Sequence, residues 1–175
     1  MKEIEIKIIE VDVAEVKKQL EAGGAKIIGE YEQEQTIFRK KDFKGVFRIR
    51  KSTDANGTIT FYTTLKTRIE RENVKAADER EQEVDSWETG EAQAASLGFT
   101  EEYFLKKHRI EYQIENVQFC LDTMHTEKED LPTYLEIEAE EEILVLAWAE
   151  KLGFTQEQLR VWSTKDVLKH YNLFT

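Results

Sequence analysis

The stretch Lys2-Glu3-Ile4-Glu5-Ile6-Lys7-Ile8-Ile9-Glu10 decides how the rest of the chain is read. Its residues alternate with period two, so Ile4, Ile6 and Ile8 share one side of a strand while Glu3, Glu5 and Lys7 share the other. The same alternation recurs further along. Arg48 and Arg50 fall on one face, followed by Thr60, Tyr62, Thr64 and Lys66, then Glu81 and Glu83. Later strands add Lys107 and Arg109, Asp122, and Glu136 and Glu138. The opposite faces carry Ile49, Phe61, Leu65, Ile110, Leu121, Leu135 and Ile137.

An ordinary antiparallel sheet with one wet face competes with any more specific account of a single strand. Two features of the set argue for more. The charged faces use same-sign pairs at i and i+2, Glu-x-Glu three times and Arg-x-Arg once, where a solvated face mixes Lys, Thr, Ser and Gln. The few helices, moreover, cover the apolar faces only if the sheet curls with those faces outward. The expected fold is therefore α+β: a closed antiparallel eight-stranded β-barrel, a tunnel with a charged interior and helices packed outside, forming one domain over residues 1–175.

Around those strands the chain is easily punctuated. Asp12 caps a helix over 13–22 with Val13, Val16 and Leu20 on one stripe, and Gly23-Gly24 stops it. Strands are expected near 26–40, 46–52 and 58–66, the last two joined as a hairpin through Asn56-Gly57. Residues 67–78 lack clear periodicity and read as a long, mobile loop. A strand near 79–85 leads into a helix at 87–97, and strands follow near 103–115, 117–124 and 133–140. A helix at 140–152 and short helical segments at 155–160 and 163–171 complete the chain. Leu-Gly-Phe-Thr closes both longer helices, at 97–100 and 152–155.

Composition narrows the function classes. Thirty-six acidic and 25 basic residues leave a net charge of −11, which argues against non-specific binding to nucleic acid or anionic membrane. Cys120 is the only cysteine, so there is no intrachain disulfide and no thiolate zinc cluster; it reads as a packed small residue. His108, His125 and His170 lack metal-ligand spacing, and no apolar run approaches membrane length. Cytoplasmic residence is the expectation, and a homodimer is compatible with it. Trp87, Trp148 and Trp162 fall on helical segments and read as core anchors. No glycine-rich Lys-Ser/Thr phosphate loop is present.

The inner face would hold six cations, Lys7, Arg48, Arg50, Lys66, Lys107 and Arg109, and seven acids. So many buried charges are prohibitive without partners, and an anionic ligand accompanied by a divalent metal would balance them. Six cations suit a run of linked phosphates better than one phosphate. The Glu3/Glu5 and Glu136/Glu138 pairs suit a hard ion that prefers oxygen, Mg²⁺ or Mn²⁺ over zinc.

The ordered blocks Glu3-Ile4-Glu5-Ile6-Lys7, Phe47-Arg48-Ile49-Arg50, Thr64-Leu65-Lys66, Arg80-Glu81-Gln82-Glu83, Lys106-Lys107-His108-Arg109, Leu121-Asp122 and Glu136-Ile137-Glu138 resemble the CYTH superfamily, the triphosphate tunnel metalloenzymes. The resemblance runs to Ser163-Thr164-Lys165. It implies that Lys7, Arg48, Arg50, Lys66 and Arg109 grip a triphosphate, with Lys107 beside them, and that Glu3, Glu5, Glu136 and Glu138 hold one metal. It further implies that Glu81, Glu83 and Asp122 serve a second metal or orient the nucleophile. The chain departs from the family at Leu131-Pro132, where a Leu-Gly pair is common, and in the 67–78 segment.

On that resemblance the expected activity is metal-dependent hydrolysis of inorganic triphosphate or another triphosphate. The alternative is a class IV-type adenylyl cyclase, in which a ribose hydroxyl attacks the α-phosphorus of ATP. A cyclase needs an adenine pocket, for which Tyr31, Phe38 and Tyr62 are the aromatic candidates. A polyphosphate sensor without turnover is a third class, disfavoured by the full acidic set.

Overall fold

The computed structural model describes residues 2–127 and 129–174. Eight strands, β1 (Lys2–Ile8), β2 (Lys26–Arg39), β3 (Gly45–Asp54), β4 (Ile59–Ile69), β5 (Lys75–Val84), β6 (Thr100–Ile114), β7 (Val117–His125) and β8 (Tyr134–Ala139), close into an antiparallel barrel in the order β1-β5-β4-β3-β2-β6-β7-β8. Four helices lie outside it: α1 (Val13–Ala22), α2 (Trp87–Ser96), α3 (Glu142–Lys151) and α4 (Thr164–His170). The expected architecture is thus the observed one.

The usual arrangement of core and surface is inverted. The apolar core lies between the outer wall and the helices, where Ile4, Ile6 and Ile8 pack with Phe119, Leu135 and Ile137 beneath Val16 and Leu20 of α1 and Val145 and Ala149 of α3. Ile6, Phe119, Leu135 and Ile137 are fully covered, so truncating Ile137 to Ala would cost about 2–5 kcal/mol. A second cluster, Phe38, Phe47, Ile49 and Phe99, packs against Ala94 of α2. There α2 approaches through Gly90, where an added Cβ would meet Ile49 at 3.0 Å and Thr63 at 3.1 Å. Trp148, Trp87 and Trp162 each join a cluster as partly buried packing residues, the first two on α3 and α2 as expected, whereas Trp162 lies ahead of α4 and not on a helix.

Local signals fixed the ends. Asp12 accepts a hydrogen bond from the Glu15 N–H at 3.1 Å. The repeated Leu-Gly-Phe closes α2 and α3 in the same way. Gly98 and Gly153 take φ of +75° and +82°, and the Phe99 and Phe154 N–H groups donate back to Ala94 and Ala149 C=O at 3.0 Å. The echo in sequence is one helix stop used twice. At the β3–β4 turn Gly57 sits at φ +83° while the Asp54 carboxylate accepts from the Asn56 and Thr58 N–H groups.

The main correction concerns residues 67–78. Strand β4 continues to Ile69 and β5 begins at Lys75, leaving 70–74 as the connection in place of a long loop. Alternation does exist there, since Lys75, Ala77 and Glu79 share the face of Glu81. It is hidden because the outward Ala76 and inward Ala77 are both small and both buried.

Candidate active site in the barrel interior

Strand register turns the alternating charges into a three-dimensional array. Across β1 and β8, Lys7 lies opposite Glu136 and Glu5 opposite Glu138. Across β3 and β4, Arg48 meets Thr64 and Arg50 meets Tyr62, and across β4 and β5, Thr64 meets Glu81 and Tyr62 meets Glu83. Across β6 and β7, Arg109 meets Asp122. The predicted site residues other than Glu83 therefore converge on one interior.

Each predicted cation has a carboxylate. Lys7, 1% exposed, ion-pairs with both Glu5 and Glu136. Lys66 reaches Glu3 at 3.0 Å and also pairs with Glu79. Arg48 and Arg50 share Glu81, at 3.1 and 2.9 Å, and their Nε atoms are buried without a partner. Asp122, fully buried, accepts from Lys107 at 2.7 Å and from two Arg109 nitrogens at 2.7 and 2.6 Å. Arg109 also donates to Glu136 at 3.1 Å. Glu83 lies on exposed strand surface and makes no ion pair among the described residues.

The four glutamates divide. Carboxylate oxygens of Glu3, Glu5 and Glu138 lie within 4.8 Å of one another, whereas Glu136 is drawn toward Lys7 and Arg109. Burial raises the Glu136 carboxyl, but Lys7, a hydrogen bond from Glu138 and Arg109 overcome it and hold it well below the usual range. At Glu138 burial acts together with the Glu3 and Glu136 charges, and the carboxyl is held well above that range. Three converging carboxylates are an oxygen donor set that a hard divalent cation fits, since the ion would relieve their mutual repulsion.

Several functional positions escaped the sequence. Glu79 faces inward beside Glu3 and Lys66; burial and Glu3 outweigh Lys66 and push its carboxyl up to about 7. Lys75 ion-pairs Glu5 at 2.6 Å. Counting back by twos from Glu83 and Glu81 reaches both, had the strand not been cut at 79. Cys120, opposite Glu136 and Glu111, is on the inner wall, and its Sγ groups closely with Glu136 and Glu138. Burial pushes this thiol well up, so it stays protonated. Of the candidate stackers, Tyr31 and Tyr62 face inward, Tyr62 with Arg50 5.0 Å above its ring, while Phe38 belongs to the outer core.

A cavity of about 570 Å³ opens from this interior at one end of the barrel. Its lining holds twelve Lys and Arg side chains and four carboxylates, in a chain whose net charge is −11. The C-terminal segment helps to frame it. Where β5 stops short, Arg160 pairs with Lys7 through two backbone hydrogen bonds of 2.9 and 2.8 Å. Beyond it, Val167 of α4 packs against Met124, Leu131 and Tyr134 and closes the adjoining part of the barrel end.

A family model for the CYTH domain matches residues 1–171. Among solved structures, the PH1012 protein of Pyrococcus horikoshii OT3 is 29% identical, with a TM-score of 0.76 over 92% of this chain and 96% of that one. The PH1819 protein of the same organism is 22% identical, with a TM-score of 0.74 over 97% and 99%. HpAC1 from Hippeastrum, a candidate adenylyl cyclase with a dominant triphosphatase activity, is 16% identical, with a TM-score of 0.63 over 99% and 97%. Below 25% identity the likeness is one of fold. No curated protein matches the chain. No helix among the described residues is long and apolar enough to cross a membrane.

Proposed function

The chain belongs to the CYTH domain family, and from that premise we propose that it is a divalent-metal-dependent phosphohydrolase acting on inorganic triphosphate or a related triphosphate. The carrying observation is the concentration of twelve cations against four carboxylates around one cavity of an acidic protein. A small polyanion is the ligand class such a surface selects.

Phosphoryl transfer asks for positioning and charge neutralisation, which this wall supplies. Lys7, Lys66, Arg48, Arg50 and Arg109 bind and orient the phosphates, with Lys107 beside them. Asp122, held between Lys107 and Arg109, fixes the direction of both. Arg48 and Arg50 each keep a buried Nε–H in reserve for a phosphate oxygen. Glu3, Glu5 and Glu138, with Glu136 behind them, would hold Mg²⁺ or Mn²⁺, which when bound offsets phosphate charge and acidifies water. Glu81, which Arg48 and Arg50 share, would orient the attacking water; Glu83, on exposed strand surface, is not placed to join it.

HpAC1 keeps the cyclase alternative in view. Hydrolysis is favoured here because Tyr62 is occupied by Arg50 and the aromatics of the cavity, Phe43 and Tyr103, pack against Phe99 and Phe174. The test is incubation of tripolyphosphate, ATP and thiamine triphosphate with Mg²⁺ or Mn²⁺. Orthophosphate release supports the proposal; cyclic AMP with pyrophosphate from ATP refutes it in favour of a cyclase. Titration calorimetry tests the metal site separately. Affinity for Mg²⁺ or Mn²⁺ should be lost in Glu5→Gln while the fold, read by circular dichroism, is kept.

A further inference from the structure

The outer wall of the barrel carries a cluster of titratable side chains that the interior chemistry does not use. Across β6 and β7, His108 lies opposite Thr123 and His125 opposite Lys106, so the two histidines are diagonal neighbours. On the other side of β6, strand β2 places Glu32 opposite His108. These positions alternate with the inward Lys107, Arg109 and Asp122, so the barrel wall separates them from the interior site. The histidines have no ligand spacing in sequence; strand register supplies their proximity.

Four contacts link the cluster into a chain. Glu32 stands between the rings, with Oε1 2.8 Å from His108 Nδ1 and Oε2 3.2 Å from His125 Nε2. The other nitrogen of each ring faces a further carboxylate, Glu30 at 3.1 Å from His108 Nε2 and Asp130 at 2.8 Å from His125 Nδ1. Among the described residues no Lys or Arg lies at ion-pair distance from Glu30, Glu32 or Asp130. Lys106, opposite His125, pairs with Glu34 at 3.0 Å instead. Both rings are partly exposed, so ions in solvent reach them.

Asp130 is presented by an ordered connection. Thr126 Oγ1 donates to the Glu129 C=O at 2.6 Å, and the Leu131 N–H donates to the Met124 C=O at 2.9 Å. Leu131 packs with Met124, Tyr134 and Val167, and Pro132 restricts it to extended backbone.

Protons satisfy this chain only if both rings are imidazolium, because a neutral ring has one N–H and would turn a lone pair toward a carboxylate. A divalent ion satisfies it equally. With the ion on the nitrogens that face Glu32, each neutral ring keeps one N–H, which donates to Glu30 or Asp130. Three carboxylates and two imidazolium rings carry a formal charge of −1; three carboxylates, two neutral rings and one divalent ion carry the same. A carboxylate behind each imidazole is also the arrangement that fixes the tautomer of a metal-bound histidine.

We propose that the outer wall binds a borderline divalent ion such as Zn²⁺ through His108 Nδ1, His125 Nε2 and Glu32, with Glu30 and Asp130 orienting the rings. Two imidazoles and a carboxylate select such an ion over Mg²⁺ and leave a fourth, tetrahedral position for water. The ion fastens β2 to β7 across β6 and holds the connection that carries Leu131. This site is separate from the oxygen-only set of Glu3, Glu5 and Glu138, and it stands whatever reaction the interior performs.

The experiment titrates Zn²⁺ into EDTA-stripped protein against a competing chelator in excess Mg²⁺, and follows thermal unfolding in parallel. Wild type and the interior variant Glu5→Gln should bind Zn²⁺ alike, and both should unfold at a higher temperature with it. His108→Gln and His125→Gln should weaken that binding by about a hundredfold or more and remove the thermal shift. Asp130→Asn, which reaches the ion only through His125, should weaken it by about tenfold. His170→Gln, at the third histidine, should behave as wild type. Zn²⁺ binding left intact by both His108→Gln and His125→Gln overturns the proposal, as does an equal loss in His170→Gln. Loss confined to Glu5→Gln also overturns it, because the ion would then sit in the interior.

Discussion

The two halves of the barrel interior treat charge in opposite ways. Around the cavity, cations outnumber carboxylates three to one, and three of the outermost have no ion-pair partner among the described residues. Toward Glu3, Glu5 and Glu138, carboxylates crowd one another, and burial with their mutual repulsion holds the Glu138 carboxyl well above its usual range. Between them lie Lys7, Arg109, Asp122 and Glu136, buried and mutually paired. The excess of one sign at each end is what a ligand uses; the balanced middle keeps the tunnel folded. On the proposed function the cations would take the polyanion and the converging carboxylates the metal, and the Lys66–Glu3 and Lys75–Glu5 pairs join the two regions directly.

The largest effect should come from the carboxylate end. Replacing Glu5 or Glu138 with Gln should reduce metal-dependent turnover by about a thousandfold or more, because a metal ligand is lost while the cations remain. Wild-type rates in either variant would remove both residues from the metal site. Binding of tripolyphosphate in EDTA should survive the Glu138→Gln change, which separates the two halves experimentally.

The middle comes next. Arg109→Met leaves Asp122 buried with only Lys107 and should cost about 3–5 kcal/mol in urea unfolding. A cost under about 1 kcal/mol would show that the pairing does not hold the tunnel together.

At the cationic end the expected signature is a pH limb. Burial and the adjacent Arg109 push Lys107 down to about 8. Its charged form, which attracts phosphate, is present below that value and lost above it, so kcat/KM should fall as pH rises through about 8. Going from pH 7 to 9 should cost up to about tenfold, because kcat/KM follows ionisations of the free enzyme. Lys107→Arg should flatten this limb, since guanidinium stays charged. A limb unchanged in that variant would assign the titration to another group.

The smallest effect should follow from Arg68→Ala. Its pair with Glu70 is exposed on both sides, so stability should change by no more than about 0.5 kcal/mol on thermal or urea unfolding. A larger loss would mean that this exposed edge of the cavity is structural.

Much of this was legible before any coordinates. Period two is a property of strand geometry, so Glu3, Glu5, Lys7, Arg48, Arg50 and their counterparts could be assigned to one face from their spacing alone. The Gly98 and Gly153 stops were legible because left-handed helix ends depend on local backbone chemistry. Glu79 and Lys75 were missed because Ala76 and Ala77, both small, mask the alternation.

What the sequence by itself determined, then, is which face of most strands lines the wall and that the wall curls with its charges inward. Only the tertiary structure decided how those charges pair. Glu136 and Glu138 are chemically identical and two residues apart, yet one is drawn to Lys7 and Arg109 and the other is left among carboxylates. Their difference comes from cross-strand register and from neighbours distant in sequence. The positive edge of the cavity is a tertiary fact for the same reason, because Lys44, Arg71 and Lys169 come from two connections and a short helix that carry no shared period. Electrostatic energy depends on distance in space, and only closure of the barrel brings these residues together.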